Sequence, residues 1–286
     1  MKIKMAGASG YLGKKVSEEL KKNGQTVSGI SRKMLYGPVD DLKNELLGAD
    51  AVYFLAGAPI LQRWTKKNKK VIYDSRVVTS RNIVTAIRET APEKRPKKVV
   101  SASAVGIYAI GKTHDESSTD FDSGFVGTVV KDWENEWEKL PENVDLTLFR
   151  IGLVLGSGAE TIKKMLLPFQ FGLGGKIGDG KQPFPFVHEN DVLRAFAWGL
   201  ENKKTKGIYN LAAPGIINNK GFTKALANEL NRPAFLTVPE FALQMFFGKA
   251  AVLLTESPAV IPANLKKAGF KFEYPSIDKT VKEIVN

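Results

Sequence analysis

The sequence predicts an α/β fold in which a doubly wound parallel sheet is joined by a smaller domain at the C-terminal end. Three observations lead to this prediction. A strand runs into spaced glycines and then into a helix at the start of the chain, apolar runs alternate with helical stretches through the first half, and the second half is dense in glycine and proline. With 286 residues, 43% of them hydrophobic and 25% charged, the chain has the composition of an ordinary globular protein.

The first element is an apolar strand over residues 3–6, which is followed by three glycines at positions 7, 10 and 13 and by an amphipathic stretch. This order is typical of the phosphate-binding turn of a Rossmann-type sheet. Gly7 allows the tight turn, Gly10 lets the backbone approach a pyrophosphate, and Gly13 lets the helix lie close to the sheet. The unpaired N–H groups of the helix N-terminus favour phosphate at this point. The dinucleotide contacts predicted in the turn are Gly7, Ser9, Gly10, Tyr11, Leu12 and Gly13.

The second strand, Gln25 to Ile30, decides between the two nicotinamide cofactors because its end faces the adenosine ribose in this fold. An acidic residue there would hold the 2′-hydroxyl of NAD(H), whereas an arginine accommodates the 2′-phosphate of NADP(H). The chain has no acid at this point and continues as Ser31-Arg32-Lys33. We therefore predict that Ser31, Arg32 and Lys33 together bind the 2′-phosphate, so that the protein prefers NADP(H) to NAD(H). The alternative is a surface Arg-Lys pair in a basic protein.

The third strand is a continuous apolar run from Ala51 to Ala56, as expected for a strand that is buried on both faces. It opens into the small residues Gly57-Ala58-Pro59, which would let a cofactor ribose pass close to the backbone. The contacts predicted here are Leu55, Ala56 and Gly57.

A fourth strand begins at Val99, and a fifth, Asp145 to Phe149, ends at Arg150. We predict that Arg150 meets a cofactor or substrate phosphate, and a buried structural ion pair is the alternative. In the second half, residues 191–202 predict a helix and residues 208–211 a returning strand. The predicted domains are residues 1–215, a nucleotide-binding domain in which 156–186 contribute to the substrate cleft, and residues 216–286, a small C-terminal domain.

Composition excludes several classes of function. There is no cysteine, which removes disulfides and thiolate chemistry, and the two histidines, His114 and His188, have no ligand-like spacing, so no metal site is predicted. No apolar run reaches the length of a membrane span, and the first strand leaves no room for a targeting peptide, which favours a cytoplasmic protein without a membrane partner. The formal charge of +12 is scattered along helices, so we expect it to attract an anionic cofactor and substrate, and not nucleic acid.

Four motifs stand out along the chain, and they are Gly7-x-x-Gly10-x-x-Gly13, Leu55-Ala56-Gly57, Ser103-Ala-Val-Gly-Ile-Tyr108 and Phe186-Val-His-x-x-Asp191. They resemble the motifs of the extended short-chain dehydrogenase/reductases. Further marks, Arg63-Trp64-Thr65, Ser75-Arg76-Val77, Asp132-Trp133-Glu134 and Arg150-x-Gly152, are similar to those of the NAD-dependent epimerase/dehydratase family and of its uncharacterised epimerase-like subgroup. The segment from about Pro239 to Ile284 resembles the small domain that ends those proteins.

The resemblance implies hydride transfer between a bound nicotinamide and a sugar-nucleotide carbinol. In the family a tyrosine acts as acid and base, and a lysine four residues later lowers its pKa because the ammonium favours the phenolate. On the helix where this pair is expected, Lys131 follows Gly127 by four positions, and the helix carries no tyrosine. The chain therefore departs from the family at its acid/base.

Four residues are candidates to take over part of the role of the missing tyrosine. The resemblance places Ser103 where the family steadies the substrate oxygen, and Glu116 matches an acid of the family's substrate loop. Tyr108 would lie near the substrate as a proton donor, or serve as a core aromatic. Lys131 would contact the cofactor ribose or lie on the surface.

Two hypotheses follow. The first is an NADP(H)-binding oxidoreductase or epimerase that acts on an anionic, sugar-nucleotide-like substrate, with the proton supplied by Tyr108, Glu116 or a bound water. The second is a sensor that binds the nucleotide and has lost the catalytic tyrosine. A nucleic-acid-binding role ranks third, and the oligomeric state stays open.

Overall fold

The computed structural model describes residues 1–202 and 205–285. Its strands are β1 Lys2–Ala6, β2 Thr26–Ile30, β3 Ala51–Phe54, β4 Lys98–Ala104, β5 Thr113–His114, β6 Asp145–Ile151, β7 Leu153–Leu155, β8 Gly175–Ile177, β9 Phe186–His188, β10 Gly207–Leu211, β11 Leu236–Val238 and β12 Ala259–Val260. Its α-helices are α1 Tyr11–Lys22, α2 Arg32–Leu35, α3 Val39–Leu46, α4 Lys66–Asp74, α5 Val77–Glu89, α6 Phe125–Trp137, α7 Glu160–Gln170, α8 Glu189–Glu201, α9 Asn219–Glu229, α10 Glu240–Phe247, α11 Val252–Thr255, α12 Ala263–Lys267 and α13 Ile277–Val285.

Six strands form the central sheet in the order β10-β6-β4-β3-β1-β2, and every neighbouring pair is parallel. The strand order reverses direction at β1, which lies between β2 and β3. The crevice above the carboxyl ends of β1 and β3 is therefore the switch point at which doubly wound sheets bind ligands. The predicted doubly wound parallel sheet is confirmed.

Helices cover both faces of this sheet, so its inner strand β3 is apolar at every position. On one face α1 and α8 pack together through Val16, Leu20 and Phe196. On the other, α3, α5 and α6 bury Leu42, Ile83 and their neighbours against β3. All four residues of β3 are buried, as the unbroken apolar run predicts.

Two predicted boundaries differ from the structure. The third strand ends at Phe54, two residues early; Leu55 still donates its N–H to the Ala6 carbonyl at 2.9 Å, and both Leu55 and Ala56 border a cavity. The helix predicted from Asp191 begins at Glu189, where the ring nitrogen Nδ1 of His188 accepts the Asn190 N–H at 3.2 Å and caps the first turn.

The second half builds a smaller core beside the sheet. The helices α7, α9 and α13 share apolar side chains, among them Leu166, Leu226 and Val281. The short strands β8 and β11 pair in parallel, which joins the segment after α7 to the C-terminal part of the chain. The proposed boundary near residue 215 and the contribution of residues 156–186 to a substrate cleft stay predictions.

Candidate functional site

The glycine turn has the close backbone contacts that its spacing predicts. Gly7 has φ +84°, and a Cβ there would lie 2.5 Å from the carbonyl carbon of Leu55. A Cβ on Gly13 would lie 2.0 Å from the Gly7 carbonyl oxygen, so only glycine lets α1 approach the turn this closely. No side chain caps α1, whose N-cap is Gly10, and its first turn holds no acid. Its N-terminal N–H groups are therefore suited to an anion.

A cavity of about 650 Å³ opens above this turn at the switch point. Its volume lies in the usual range for small-molecule sites, about 300–1,000 Å³. The lining residues are Gly7, Ala8, Ser9, Gly10, Gly29, Ile30, Ser31, Arg32, Leu35, Tyr36, Leu55, Ala56, Gly57, Ala58, Pro59, Gln62, Val71, Ser75 and Thr79. The fold, the glycine cradle and this volume together fit a dinucleotide.

The rim of the cavity at the end of β2 carries positive charge. Ser31 caps the short helix α2 by accepting the Met34 N–H at 3.2 Å, and this bond holds the start of the helix at the cavity. The guanidinium of Arg32 lies 5.8 Å from the centre of the Tyr36 ring. Burial raises the pKa of Tyr36, so its hydroxyl stays neutral. The lining set contains no aspartate or glutamate.

Eight of the twelve predicted cofactor contacts line this cavity, and they are Gly7, Ser9, Gly10, Ser31, Arg32, Leu55, Ala56 and Gly57. Tyr11, Leu12, Gly13 and Arg150 are not among the lining residues. Tyr11 instead donates its hydroxyl hydrogen to Glu189, which also pairs with Lys15 at 3.0 Å. Burial and the contact with Glu189 raise the pKa of Tyr11. This cluster ties α1 to α8 behind the turn.

Sequence reasoning missed the side walls of the cavity. Leu35 ends α2 and Tyr36 is its C-cap, and this helix of four residues is too short to show a periodic pattern. Ser75 and Thr79 come from the junction of α4 and α5, which the sequence presents as one helical stretch. The Ser75 hydroxyl accepts the Ala58 N–H at 2.9 Å, which fastens the loop after β3 to this junction.

Ser103 and Arg150 meet in a buried charge cluster at the ends of β4 and β6. Ser103 donates its hydroxyl hydrogen to Oε1 of Glu134 at 2.5 Å. Arg150 binds the same carboxylate with two bonds, Nε to Oε1 at 2.9 Å and Nη2 to Oε2 at 2.6 Å. Although burial opposes it, the bond to Glu134 raises the pKa of Arg150. Of the two predicted roles of Arg150, this geometry corresponds to the buried structural ion pair.

Tyr108 belongs to the same cluster. Its hydroxyl donates to Oδ1 of Asn210 at 2.8 Å and accepts from Nη1 of Arg150 at 2.8 Å, and its ring stacks on His114 at 4.9 Å. The side chain is 1% exposed, and burial raises its pKa against the opposing effect of Arg150. The hydroxyl proton of Tyr108 is thus held in a bond to a protein amide.

The two remaining candidates are placed differently. Each oxygen of the Glu116 carboxylate accepts a backbone N–H, from Asn210 at 2.8 Å and from Asn264 at 3.1 Å, so this group connects strand β10 with helix α12. Lys131 is exposed on α6. The structure therefore connects Ser103 and Tyr108 through Arg150 and leaves Lys131 apart from them. The catalytic roles of all four residues stay predictions.

The helix position that would carry the family's tyrosine is closed. A Cβ at Gly127 would lie 2.0 Å from the carbonyl oxygen of Asp122, and the carboxylate of Asp122 accepts the Gly127 N–H at 3.1 Å. The loop before α6 thus packs its backbone directly on the helix. No side chain fits at this position without a backbone shift.

Residues 1–202 and 205–285 contain no group of three or more histidine, aspartate or glutamate side chains suited to a metal ion. Nor do they contain a helix with the length and apolarity needed to cross a membrane.

Comparison with known proteins shows the family to which this chain is related. Residues 3–212 match the model of the NAD dependent epimerase/dehydratase family, and residues 238–284 match a domain of unknown function, DUF1731. The epimerase family protein SDR39U1 of Bos taurus is 35% identical over 297 residues and is covered, like this chain, over 100% of its length. The epimerase family protein YfhF of Bacillus subtilis is 30% identical over 300 residues, with 100% of this chain and 98% of the relative covered.

A crystal structure of human SDR39U1 with NADPH has 32% sequence identity and a TM-score of 0.91, with 99% of both chains covered. The UDP-glucose 4-epimerase of Thermotoga maritima, at 16% identity and a TM-score of 0.77, shows the shared fold. The predicted membership of the extended short-chain dehydrogenase/reductases and the predicted NAD(P)-binding Rossmann fold are confirmed. This chain belongs to the NAD dependent epimerase/dehydratase family.

Proposed function

We propose that this protein is an NADP(H)-dependent oxidoreductase or epimerase that acts on an anionic small molecule. The observation that carries the cofactor assignment is the end of β2, where Ser31 and Arg32 line the cavity and no carboxylate does. A carboxylate there would repel a 2′-phosphate, whereas a guanidinium and a hydroxyl can bind it. That the human relative was crystallised with NADPH supports the same choice.

Fluorescence titration with NADPH and NADH tests this assignment. Replacing Arg32 by glutamine removes a charge-assisted contact of about 1.5–3 kcal/mol, so the Kd for NADPH should rise about tenfold to a hundredfold. The Kd for NADH should change by less than about threefold, because NADH lacks the phosphate. Lys33→Gln is the matched control, since the neighbouring Lys33 is exposed and does not line the cavity. Equal losses for both cofactors in Arg32→Gln would contradict the proposal.

The nicotinamide, when bound, supplies or accepts a hydride at a carbinol or carbonyl carbon. The protein's part is to hold the substrate oxygen, for which Ser103 at the end of β4 is the candidate. Because the Ser103 proton is bonded to Glu134, its oxygen is left to accept a hydrogen bond. Ser103 would therefore orient a substrate hydroxyl, and the reaction proton would pass to a bound water, Tyr108 or Glu116.

One observation favours a second function, that of an NADP(H)-binding sensor without turnover. Gly127 cannot carry the family's acid/base, and the hydroxyl hydrogens of Ser103 and Tyr108 are both donated to protein acceptors. A turnover screen of sugar nucleotides and small carbonyl compounds with NADPH separates the two functions. Oxidation of NADPH by any of them supports the enzyme, whereas tight NADPH binding without turnover across the screen supports the sensor.

A further inference from the structure

Arg76 lies at the junction of α4 and α5, against the loop that follows β3. Its Nη1 donates to the Ile72 carbonyl at 3.2 Å and to the Ser75 hydroxyl at 3.4 Å, and its Nη2 donates to the Ala58 carbonyl at 3.1 Å. A Cβ on Gly57 would lie 3.0 Å from the guanidinium carbon, so the guanidinium packs closely against the loop at a residue without a side chain.

Among the residues that the structure describes, no carboxylate balances the charge of Arg76. Within the described ranges its acceptors are two carbonyls and one hydroxyl, and no carboxylate lies within ion-pair distance. Burial lowers the pKa of Arg76 to about 10, as expected for a cation that has lost water without gaining an anion. Buried charges are normally paired, because removal from water is costly. This half-buried guanidinium is an exception.

Two other arginines on the same side of the sheet show the usual solution. Arg150 binds the carboxylate of Glu134 through two nitrogens, and Arg81, one turn along α5, binds Glu136 at 2.8 Å. In the described part of the chain, the neutral acceptors of Arg76 are joined only by the face of the Trp133 ring, 5.8 Å from its guanidinium carbon. A guanidinium has five N–H donors, and three contacts use part of this set.

The position of Arg76 indicates where its anion would come from. Gly57, Ala58 and Ser75 line the cavity that fits the dinucleotide, and all three contact Arg76, but Arg76 itself does not line it. An anion on the guanidinium would therefore lie beside the cofactor loop and outside the dinucleotide cavity. Because Arg76 also bonds the Ala58 carbonyl, the two sites would share one loop.

We propose that Arg76 binds a carboxylate or phosphate group of the second substrate, beside the loop Gly57-Ala58. The planar guanidinium is suited to both anions, since each can accept two parallel N–H bonds. The proposal rests on the proposed function, which requires an anionic substrate. It adds the residue that recognises the anion and separates that residue from those that bind the cofactor.

Thermal unfolding of the full chain with saturating NADPH tests this proposal, with inorganic phosphate and succinate as the probes and sodium chloride as the ionic-strength control. Both probes should raise the Tm of the unchanged protein in a saturable way, because a ligand that binds the folded state stabilises it. In Arg76→Gln the apparent Kd of the probes should rise about tenfold or more. Arg88→Gln is the matched control, since Arg88 is exposed on α5, the helix that Arg76 precedes. The apparent Kd of phosphate and succinate for this variant should equal that of the unchanged protein.

Three results would overturn the proposal. A rise in Tm that is the same in Arg76→Gln and in the unchanged protein would show a general salt effect. A Kd for NADPH that rises in Arg76→Gln as much as the Kd for the probes would assign the anion to the cofactor. Absence of any saturable effect would show that Arg76 is structural. Should Arg76→Gln fail to fold, Arg76→Lys, which keeps the charge without the planar fork, should bind the probes severalfold more weakly than the unchanged protein. Equal losses of NADPH and NADH affinity in Arg32→Gln would overturn the cofactor assignment. The binding of phosphate and succinate to Arg76 is measured separately, so that result would not decide the proposal for Arg76.

Discussion

Removal of the Glu134 carboxylate should strongly destabilise this protein, because it leaves the guanidinium of Arg150 buried without an anion. The two side chains are only 8% and 4% exposed, and their 2.6 Å contact is one of two parallel bonds. Breaking a buried pair by removing one partner typically costs about 3–5 kcal/mol. For a domain with a free energy of unfolding of about 5–15 kcal/mol, this is a large fraction.

The assay is urea unfolding at constant protein concentration, followed through the fluorescence of Trp133 and Trp137, which pack against Phe54 in the core. Glu134→Leu should lower the free energy of unfolding by about 3–5 kcal/mol. The double variant with Arg150→Met should recover at least about 1 kcal/mol of this loss, because no unpaired charge then stays buried.

Glu136→Gln is the control for this experiment. Glu136 lies two residues further along α6, but its partners Arg81 and Lys139 are half exposed, so the loss should be about 1 kcal/mol or less. Two results would refute the assignment of a buried ion pair that holds the cluster together. The first is a loss of free energy of unfolding below about 1 kcal/mol in Glu134→Leu, and the second is a loss in the double variant that equals the sum of the losses in Glu134→Leu and Arg150→Met.

Two further predictions concern stability. Gly127→Ala should cost at least about 1–3 kcal/mol in urea unfolding, because the new Cβ would overlap the Asp122 carbonyl, and a loss below about 0.5 kcal/mol would show that the loop is free to move. Burial lowers the pKa of His188, against the opposing charges of the nearby carboxylates, so the unfolded chain takes up this proton more readily. Stability from His188 is therefore present above its unfolded pKa of about 6.5 and is lost as the pH falls below it. His188→Gln should flatten the decline in Tm between about pH 7 and pH 5, and an unchanged slope would contradict this reasoning.

Local patterns predicted the sheet and the cofactor turn because their causes are local. The run from Ala51 is apolar since β3 is covered on both faces, and the glycine spacing reflects contacts within ten residues of Gly7 and with the neighbouring strand. For the same reason the place of Ser31 and Arg32 at the end of β2 was enough to predict that they border the cavity.

The catalytic candidates could not be resolved in this way because their partners are distant in the chain. Ser103 bonds a carboxylate 31 residues away, and Tyr108 bonds an amide 102 residues away. Nothing near Arg150 marks Glu134 as its partner, so the phosphate contact and the ion pair were equal alternatives on the sequence. Arg76 could not be recognised from the sequence either. It stands out because the described part of the folded chain brings no carboxylate to its guanidinium, and only the structure shows this.

The closed position at Gly127 and the buried charge cluster are connected by one loop. The loop whose Asp122 carbonyl covers Gly127 is anchored at its other end by Tyr108, through the bonds to Arg150 and Asn210. A tyrosine at position 127 would displace that loop and disturb the bonds of Tyr108. Restoring the family's acid/base by one substitution should therefore disrupt the cluster without producing an active site. A proton donor for the proposed reaction would act with the loop in place, which leaves a bound water, Tyr108 or Glu116.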